Sequence, residues 1–564
     1  MTLTVGAAIA RTLQEYGVTC VFGMEDPVDI VHGLDPKAVR VVTVRDEKHG
    51  AIMAHGYAKA TNRPGVCLAT FGPGATNLAT GLLEAQKSSI PVIAFVQEIT
   101  QANRGKHSSS ELDHALALSP YVKWVGRIEI RERALEITRH AFRIATSGRP
   151  GPVVVLCPPD VMAQAAHDDG VSNQERYASF PSMRNRPSRE AVAEAAEALL
   201  SARRPAILSG GGVIISQAWD EVVALGEKLR APIATTMNGK GAVPEDHPLS
   251  AGVSGTSTGG QYGRGIIANT VLEEADVVLI VGSRNGQICS YNWTLPRPGT
   301  KVIHIDMDPE EIGRNFRTEL PLLGDARETL RDLLTEIGER TPASQDPAPR
   351  LDALRAGWHD EVRDVFASNQ VPIRPERLLR EISERVRDDT VIVTDASYIT
   401  GWAMSHIDTM GKGQAMISPR GTGGIGWSLP AAIGAKMGDP DRTVICVTGD
   451  GAFGYVFNEL ETAARYKVPV VVIVFNNGTL GFQRHFEQKL FGSYRECDFV
   501  EIDFSEVGRS LKCSGERVTD PALIGEAIDR ALAANEPYVI DVVIDPNAMA
   551  PIVGMSPDVV MQSH

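Results

Sequence analysis

Short apolar runs, each about the length of one strand, recur along the chain between longer amphipathic stretches. They gather into three blocks. Residues 1–165 carry "VRVVTV", "GVCLAT", "PVIAFV" and "GPVVVLCPP". Residues 188–340 carry "RPAILSGGG", "APIATT", "ADVVLIVGS" and "TKVIHIDMD". Residues 372–546 carry "DTVIVTDAS", "RTVICVTGDG", "VPVVVIVFNN" and "PYVIDVVID". Runs rich in β-branched residues that alternate with helical segments predict parallel sheets covered on both faces. The expected architecture is α/β, with three doubly wound domains. Two polar stretches, "AAHDDGVSNQERYASFPSMRNRPSRE" and "GERTPASQDPAPRLDALR", have the Pro, Ser and charge mix of exposed linkers and separate the blocks. Residues 547–564 form a tail that could close as a lid.

The length, 564 residues, agrees with this division, because single cores stop growing near roughly 250–300 residues. Net charge is −14, from 56 basic and 70 acidic residues, which argues against general binding to nucleic acid or anionic membrane. Seven cysteines without a CxxC spacing make neither a disulfide framework nor a zinc site, so a cytoplasmic location is expected. The start, "MTLTVGAAIARTLQEYGV", reads as an amphipathic helix and not as a signal peptide. The run "VPVVVIVF" is far too short to span a bilayer.

The candidate chemistry starts at "VTGDGAFGYVFNE". Asp450 stands between Gly449 and Gly451 at the carboxyl end of a buried strand, where ligands of open α/β sheets bind. The two glycines would let backbone approach a ligand and take unusual dihedrals. A helix is expected over 455–466, and the helix start offers N–H groups to an anion. The next strand ends in Asn476 and Asn477, and a parallel neighbour would bring Asn477 beside Asp450. A carboxylate, an amide oxygen and a backbone carbonyl form an incomplete oxygen shell, of the kind Mg²⁺ completes with water and ligand phosphates.

"GDGAFGYVFNELETAARYKVPVVVIVFNN" resembles the thiamine-diphosphate (ThDP) motif. The resemblance implies that Asp450, Asn477 and the backbone at Thr479 hold Mg²⁺, which anchors the cofactor's diphosphate, with Gly449, Gly451, Ala452, Leu480 and Tyr398 around it. A second element of the family is a carboxyl group that activates the cofactor's aminopyrimidine. "VRDEKHGAIMAHGYAKATNRPGVCLATFGPGATN" is similar to the segment that supplies it, with Glu47 at the glutamate and Pro73 and Asn77 in the turn that follows. "SPRGTGGIGWSLPAAIGA" resembles the segment that bends the cofactor, with Gly421 and Thr422 leading in, the Gly423 carbonyl toward the pyrimidine and Ile425 under the thiazolium.

The resemblance covers nearly the whole chain and is to the acetolactate synthase-like branch. It implies pyrimidine-binding, central and diphosphate-binding domains, in that order. It also implies a homodimer or homotetramer whose active sites lie between subunits. In the central block, Gly211, Arg284 and Asp306 fall on segments that contact FAD or ADP in this branch. However, "GSRNGQICSYNW" departs from the FAD pattern, and a domain without nucleotide is the alternative.

The substrate loop also departs. In "RGKHSSSELDHALALSPYVKW", Ser109 and Ser110 stand where acetolactate synthases carry Phe and Gln, while Glu111 remains. His107, His114, Gln483 and His485 are candidate acid–base or substrate-facing groups. The tail has no Lys or Arg for a coenzyme A phosphate. The activity implied is the making or breaking of a carbon–carbon bond beside the carbonyl of a small molecule, with carboligation of a 2-ketoacid first. A 2-hydroxyacyl-CoA lyase or oxalyl-CoA decarboxylase comes second, then a benzoylformate decarboxylase. A binding protein that keeps the fold without turnover is the rival of another class; the presence of Glu47 and Asp450 speaks against it.

Overall fold

Each apolar block builds one six-stranded sheet in which every pairing is parallel. The structure is a computed structural model and describes residues 3–24 and 26–553. The first sheet comprises Cys20–Gly23 (β1), Arg40–Thr43 (β2), Gly65–Ala69 (β3), Val92–Gln97 (β4), Trp124–Arg127 (β5) and Val153–Cys157 (β6). The second comprises Pro205–Ser209 (β7), Ile233–Thr235 (β8), Ser250–Val253 (β9), Val277–Val281 (β10), Lys301–Asp306 (β11) and Leu320–Leu323 (β12). The third comprises Thr390–Thr394 (β13), Met416–Ile417 (β14), Thr443–Gly449 (β15), Val471–Asn476 (β16), Ser514–Val518 (β17) and Tyr538–Val543 (β18). Central strands such as β6 and β16 are buried along their whole length, which explains their unbroken Val and Ile runs.

The orders are β2-β1-β3-β4-β6-β5 and β14-β13-β15-β16-β18-β17 in the first and third sheets. These are the same order counted from each sheet's first strand. The central sheet runs β12-β11-β10-β7-β8-β9, the doubly wound order of dinucleotide-binding folds, with its topological switch between β7 and β10.

The first and third domains meet through equivalent helices. Glu47–Thr61 follows β2, Ser428–Gly438 follows β14, and their apolar residues belong to one continuous core. Glycines permit the crossing. A Cβ on Gly56 would lie 2.2 Å from the Ala431 carbonyl oxygen, and one on Gly434 would lie 2.0 Å from that of Met53. Gly434→Ala is therefore expected to destabilise the protein by about 3 kcal/mol, at the upper end of overpacking costs because backbone and not a side chain must yield. A thermal midpoint within about 1 °C of wild type would show that the helices separate freely.

Two expectations need correction. The second polar stretch is a linker only in part, since from Ala348 it becomes the helix Ala348–Phe366, which buries Leu351, Trp358 and Val362. The helix expected over 455–466 begins only at Glu459, after a one-turn helix, Asp450–Phe453, and a run of turns. Among the described residues, no helix is long and apolar enough to cross a membrane.

Candidate active site

At the carboxyl edge of the third sheet, β15 hands over to Asp450 and β16 to Asn477. The register pairs Gly449 with Phe475, so the two loops leave the sheet side by side. Asp450 is 7% exposed. Its Oδ1 accepts the Gly451 N–H (2.9 Å) and its Oδ2 the Gly478 N–H (2.7 Å). Burial raises its pKa to about 6, against the pull of those two N–H groups. Among the described residues, no Lys or Arg is paired with it. The Asn477 amide oxygen accepts the Thr479 N–H (3.2 Å), and the Thr479 carbonyl accepts the Gly481 N–H (2.9 Å).

This donor set fits a hard cation. A buried carboxylate without a basic partner is electrostatically incomplete, and carboxylate, amide and carbonyl oxygens suit Mg²⁺. Among the described residues, no three His, Cys, Asp or Glu side chains cluster into a metal cage. A metal here would thus depend on ligand oxygens to complete its shell.

A cavity of about 220 Å³ opens above these groups, lined by Tyr398, Ile425, Asp450, Asn477, Thr479 and Gln483 among others. Gly449, Gly451, Ala452 and Leu480 also face it. The role expected of the two glycines needs revision. Gly449 has φ −93°, and neither glycine lies in the left-handed region. What Gly451 provides is space, since a Cβ there would come within 3.0 Å of Leu480 and 3.3 Å of the Phe499 ring.

The turn from Gly421 to Trp427 is held by two carboxylates that sequence reasoning missed. Asp395, fully buried after β13, accepts the N–H groups of Gly426, Trp427 and Ser428, each at 3.0 Å, and the Ser428 hydroxyl at 2.7 Å. Glu84, from the first domain, accepts the N–H groups of Gly421 (2.7 Å) and Thr422 (2.6 Å). Between these anchors Gly423 and Gly426 take positive φ, 72° and 75°. Among the described residues, no hydrogen bond reaches the Gly423 carbonyl. Ile425 is 37% exposed toward the cavity. An open acceptor and an apolar side chain on one glycine-rich turn fit the bent cofactor.

Glu47 lies in the first domain, outside the residues that line this cavity. Asp46 caps its helix by accepting the Lys48 N–H (2.8 Å), which makes Glu47 the first helical residue. Asn77 Nδ2 donates to Glu47 Oε2 (3.0 Å). A Cβ on Gly74 would lie 2.9 Å from Glu47 Oε1, so only glycine fits there without displacing the carboxylate. Pro73 opens the short helix Pro73–Asn77. A third unforeseen carboxylate, Glu459 of the third domain, accepts the Arg45 N–H (2.8 Å) and lies 2.8 Å from His49 Nδ1, gripping both sides of Glu47.

The loop over 101–113 packs on the same turn. A Cβ on Gly72 would lie 2.6 Å from that of Ser110. Ser109, Ser110 and His107 are exposed, and Glu111 binds the loop's own Gly105 and Ser108 N–H groups. His114 is not a free acid–base group. It is buried, its Nε2 accepts the Gly72 N–H (2.8 Å) and its Nδ1 faces Glu98 (3.4 Å), itself clasped by Arg127. His485 Nδ1 lies 3.0 Å from the Tyr398 hydroxyl, and burial lowers its pKa. Gln483 donates to Glu487 (2.6 Å). Of the tail expected as a lid, residues 547–564, Pro551 and Val553 hydrogen-bond to the central domain, and residues 554–564 lie outside the described residues.

A larger cavity of about 490 Å³ lies where the three domains meet, at the topological switch of the central sheet. Gly211, Arg284 and Asp306 line it. Arg284 donates to the Lys87 carbonyl. Burial raises the Asp306 pKa to about 6.

Two domains of one topology flank a dinucleotide-type domain; one bears a single-carboxylate oxygen site and the other a buried glutamate at a helix start. Together they define a diphosphate-cofactor enzyme of the ThDP class. The chain belongs to the thiamine pyrophosphate enzyme family. Models of its N-terminal TPP binding domain, central domain and C-terminal TPP binding domain match residues 3–117, 192–333 and 395–542. The chain is 34% identical to the probable acetolactate synthase large subunit of Methanocaldococcus jannaschii, over 97% of this chain and 93% of that protein. It is 33% identical to the probable acetolactate synthase large subunit of Methanococcus aeolicus (96% and 92%). It is 31% identical to the acetolactate synthase of Mycobacterium bovis (97% and 89%).

Proposed function

We propose that this chain is a ThDP- and Mg²⁺-dependent carboligase of the acetolactate synthase type, acting on a 2-ketoacid. The observation that carries the reading is the buried Asp450, which has no basic partner among the described residues, beside two further oxygen donors. The acetolactate synthase relatives, similar over nearly the whole chain, support the reaction class. ThDP, when bound, supplies a nucleophilic carbon and an electron sink. Asp450, Asn477 and the Thr479 carbonyl would hold the metal. The Gly423 carbonyl and Ile425 would orient the cofactor, and Glu47 would hold a proton toward its pyrimidine.

Glu47 acts, on this reading, on a partner subunit's cofactor in a homodimer or homotetramer. In support, the cavity is lined by the third domain alone, and apolar side chains stand exposed beside both half-sites: Val500 (80%) near one and Leu116 (74%) near the other. The interdomain cavity is the candidate place for ADP or FAD.

The substrate is set by the loop with Ser109 and Ser110, and two small hydroxyl residues leave room for a chain longer than that of pyruvate. The test measures kcat/KM for pyruvate and for larger 2-ketoacids, with products identified by mass spectrometry. Ser109→Phe combined with Ser110→Gln is expected to shift the ratio toward pyruvate by about tenfold, the low end of what one methylene's difference in pocket fit is worth. A shift below about twofold would show that the loop does not select the substrate. Absence of any ThDP-dependent product from every 2-ketoacid would overturn the carboligase reading.

A further inference from the structure

Glu84 sits on the helix Ala79–Ser88 of the first domain and is 1% exposed. Three of the four hydrogen bonds its side chain accepts come from the third domain. The Gly421 N–H reaches Oε1 (2.7 Å), while the Thr422 N–H (2.6 Å) and the Thr422 hydroxyl (2.7 Å) reach Oε2. The fourth, from the Ser88 hydroxyl (2.7 Å), is local. A Cβ on Gly421 would lie 2.8 Å from both the Glu84 carbonyl oxygen and Oε1, so turn and helix are pressed together. Lys59 and Arg420 supply the neighbouring positive charge. Burial lowers the Lys59 pKa to about 8 and that of Arg420 as well, and the Glu84 carboxylate opposes both shifts.

We propose that Glu84 is a positioning residue for the cofactor: from the first domain it fixes the turn that presents the Gly423 carbonyl and Ile425. The proposal rests on the ThDP reading of this site. Its physical basis is that the middle of the turn has almost nothing packed against it. The nearest atom to a Cβ on Gly423 would be 4.0 Å away, and on Gly424 3.9 Å away. A segment without packing is placed by its ends. One end is tied to Asp395 within its own domain. At the other end the Gly423 N–H reaches the Pro419 carbonyl (2.9 Å) within the domain, and the N–H groups of Gly421 and Thr422 are tied through Glu84, across the domain boundary. Gly421 and Thr422 would otherwise have unsatisfied N–H groups in a part-buried site.

Glu84→Gln preserves shape but must turn its –NH₂ toward one backbone N–H, that of Gly421 or that of Thr422, whichever way the amide sits. ThDP affinity, measured by calorimetry at saturating Mg²⁺, is expected to weaken about tenfold or more. Amide hydrogen exchange at residues 420–427 should accelerate, with little change elsewhere. Ser88→Ala removes only the local bond, and its ThDP affinity should stay within about twofold of wild type. Affinity in Glu84→Gln within about twofold of wild type would overturn the proposal, as would an equal loss in Ser88→Ala, which would assign the effect to the helix and not to the turn. Should Glu84→Gln fail to fold, wild-type exchange decides: protected amides at Gly421 and Thr422 that gain no further protection on adding ThDP support a preformed clamp, and free exchange there overturns it. Wild-type protein that binds no ThDP would overturn the cofactor reading together with the proposal; wild-type binding with an unaffected variant overturns the proposal alone.

Discussion

Glu47→Gln is expected to leave ThDP bound and to slow proton exchange at the cofactor's reactive carbon by about 10²–10⁴-fold, the range typical of a positioned acid–base group. The side chain sits where an amide fits, because Asn77 Nδ2 already donates to one oxygen and Gly74 leaves room for the other. Folding and cofactor affinity should therefore change little. What the amide lacks is a proton to share with the pyrimidine. The measurement is deuterium exchange into the bound cofactor after acid quench, which reads the proton step without turnover. Exchange as fast as in wild type would remove Glu47 from its role.

Asp450→Ala should weaken ThDP binding at about millimolar Mg²⁺ by more than about 100-fold, beyond the 10–100-fold cost of losing an outer partner of a metal. Asp450 is the only carboxylate among the three proposed metal donors. Its loss also frees the Gly451 and Gly478 N–H groups, which loosens both loops at the edge of the sheet. Asp450→Asn keeps an oxygen at the site and should fall between the two. Calorimetry showing unchanged affinity in Asp450→Ala would sink the metal assignment.

The α/β architecture was legible in the sequence because buried parallel strands must be apolar on both faces, and runs such as Val471–Phe475 have no other simple reading. The adjacency of Asp450 and Asn477 was legible too, since each follows a strand and the strands neighbour one another. The buried carboxylates that organise the site were not. Asp395 binds mostly backbone N–H groups, which carry no side-chain signature, and the cross-domain backbone partners of Glu84 and Glu459 lie 337 and 414 residues away. His114 was misread for a related reason: loop histidines look alike until burial and a backbone donor show that one of them is an acceptor.

The helix pair that joins the first and third domains also bears on how the chain is made. Glu47–Thr61 leaves the ribosome early, but the helix that covers it, Ser428–Gly438, is translated only after the whole central domain. At about 5–20 residues per second the delay is roughly 20–75 s. Throughout that interval the nascent first domain displays the face of Met53, Gly56 and Tyr57 that the finished protein hides. Chaperone occupancy during synthesis should concentrate there and end when residue 438 emerges.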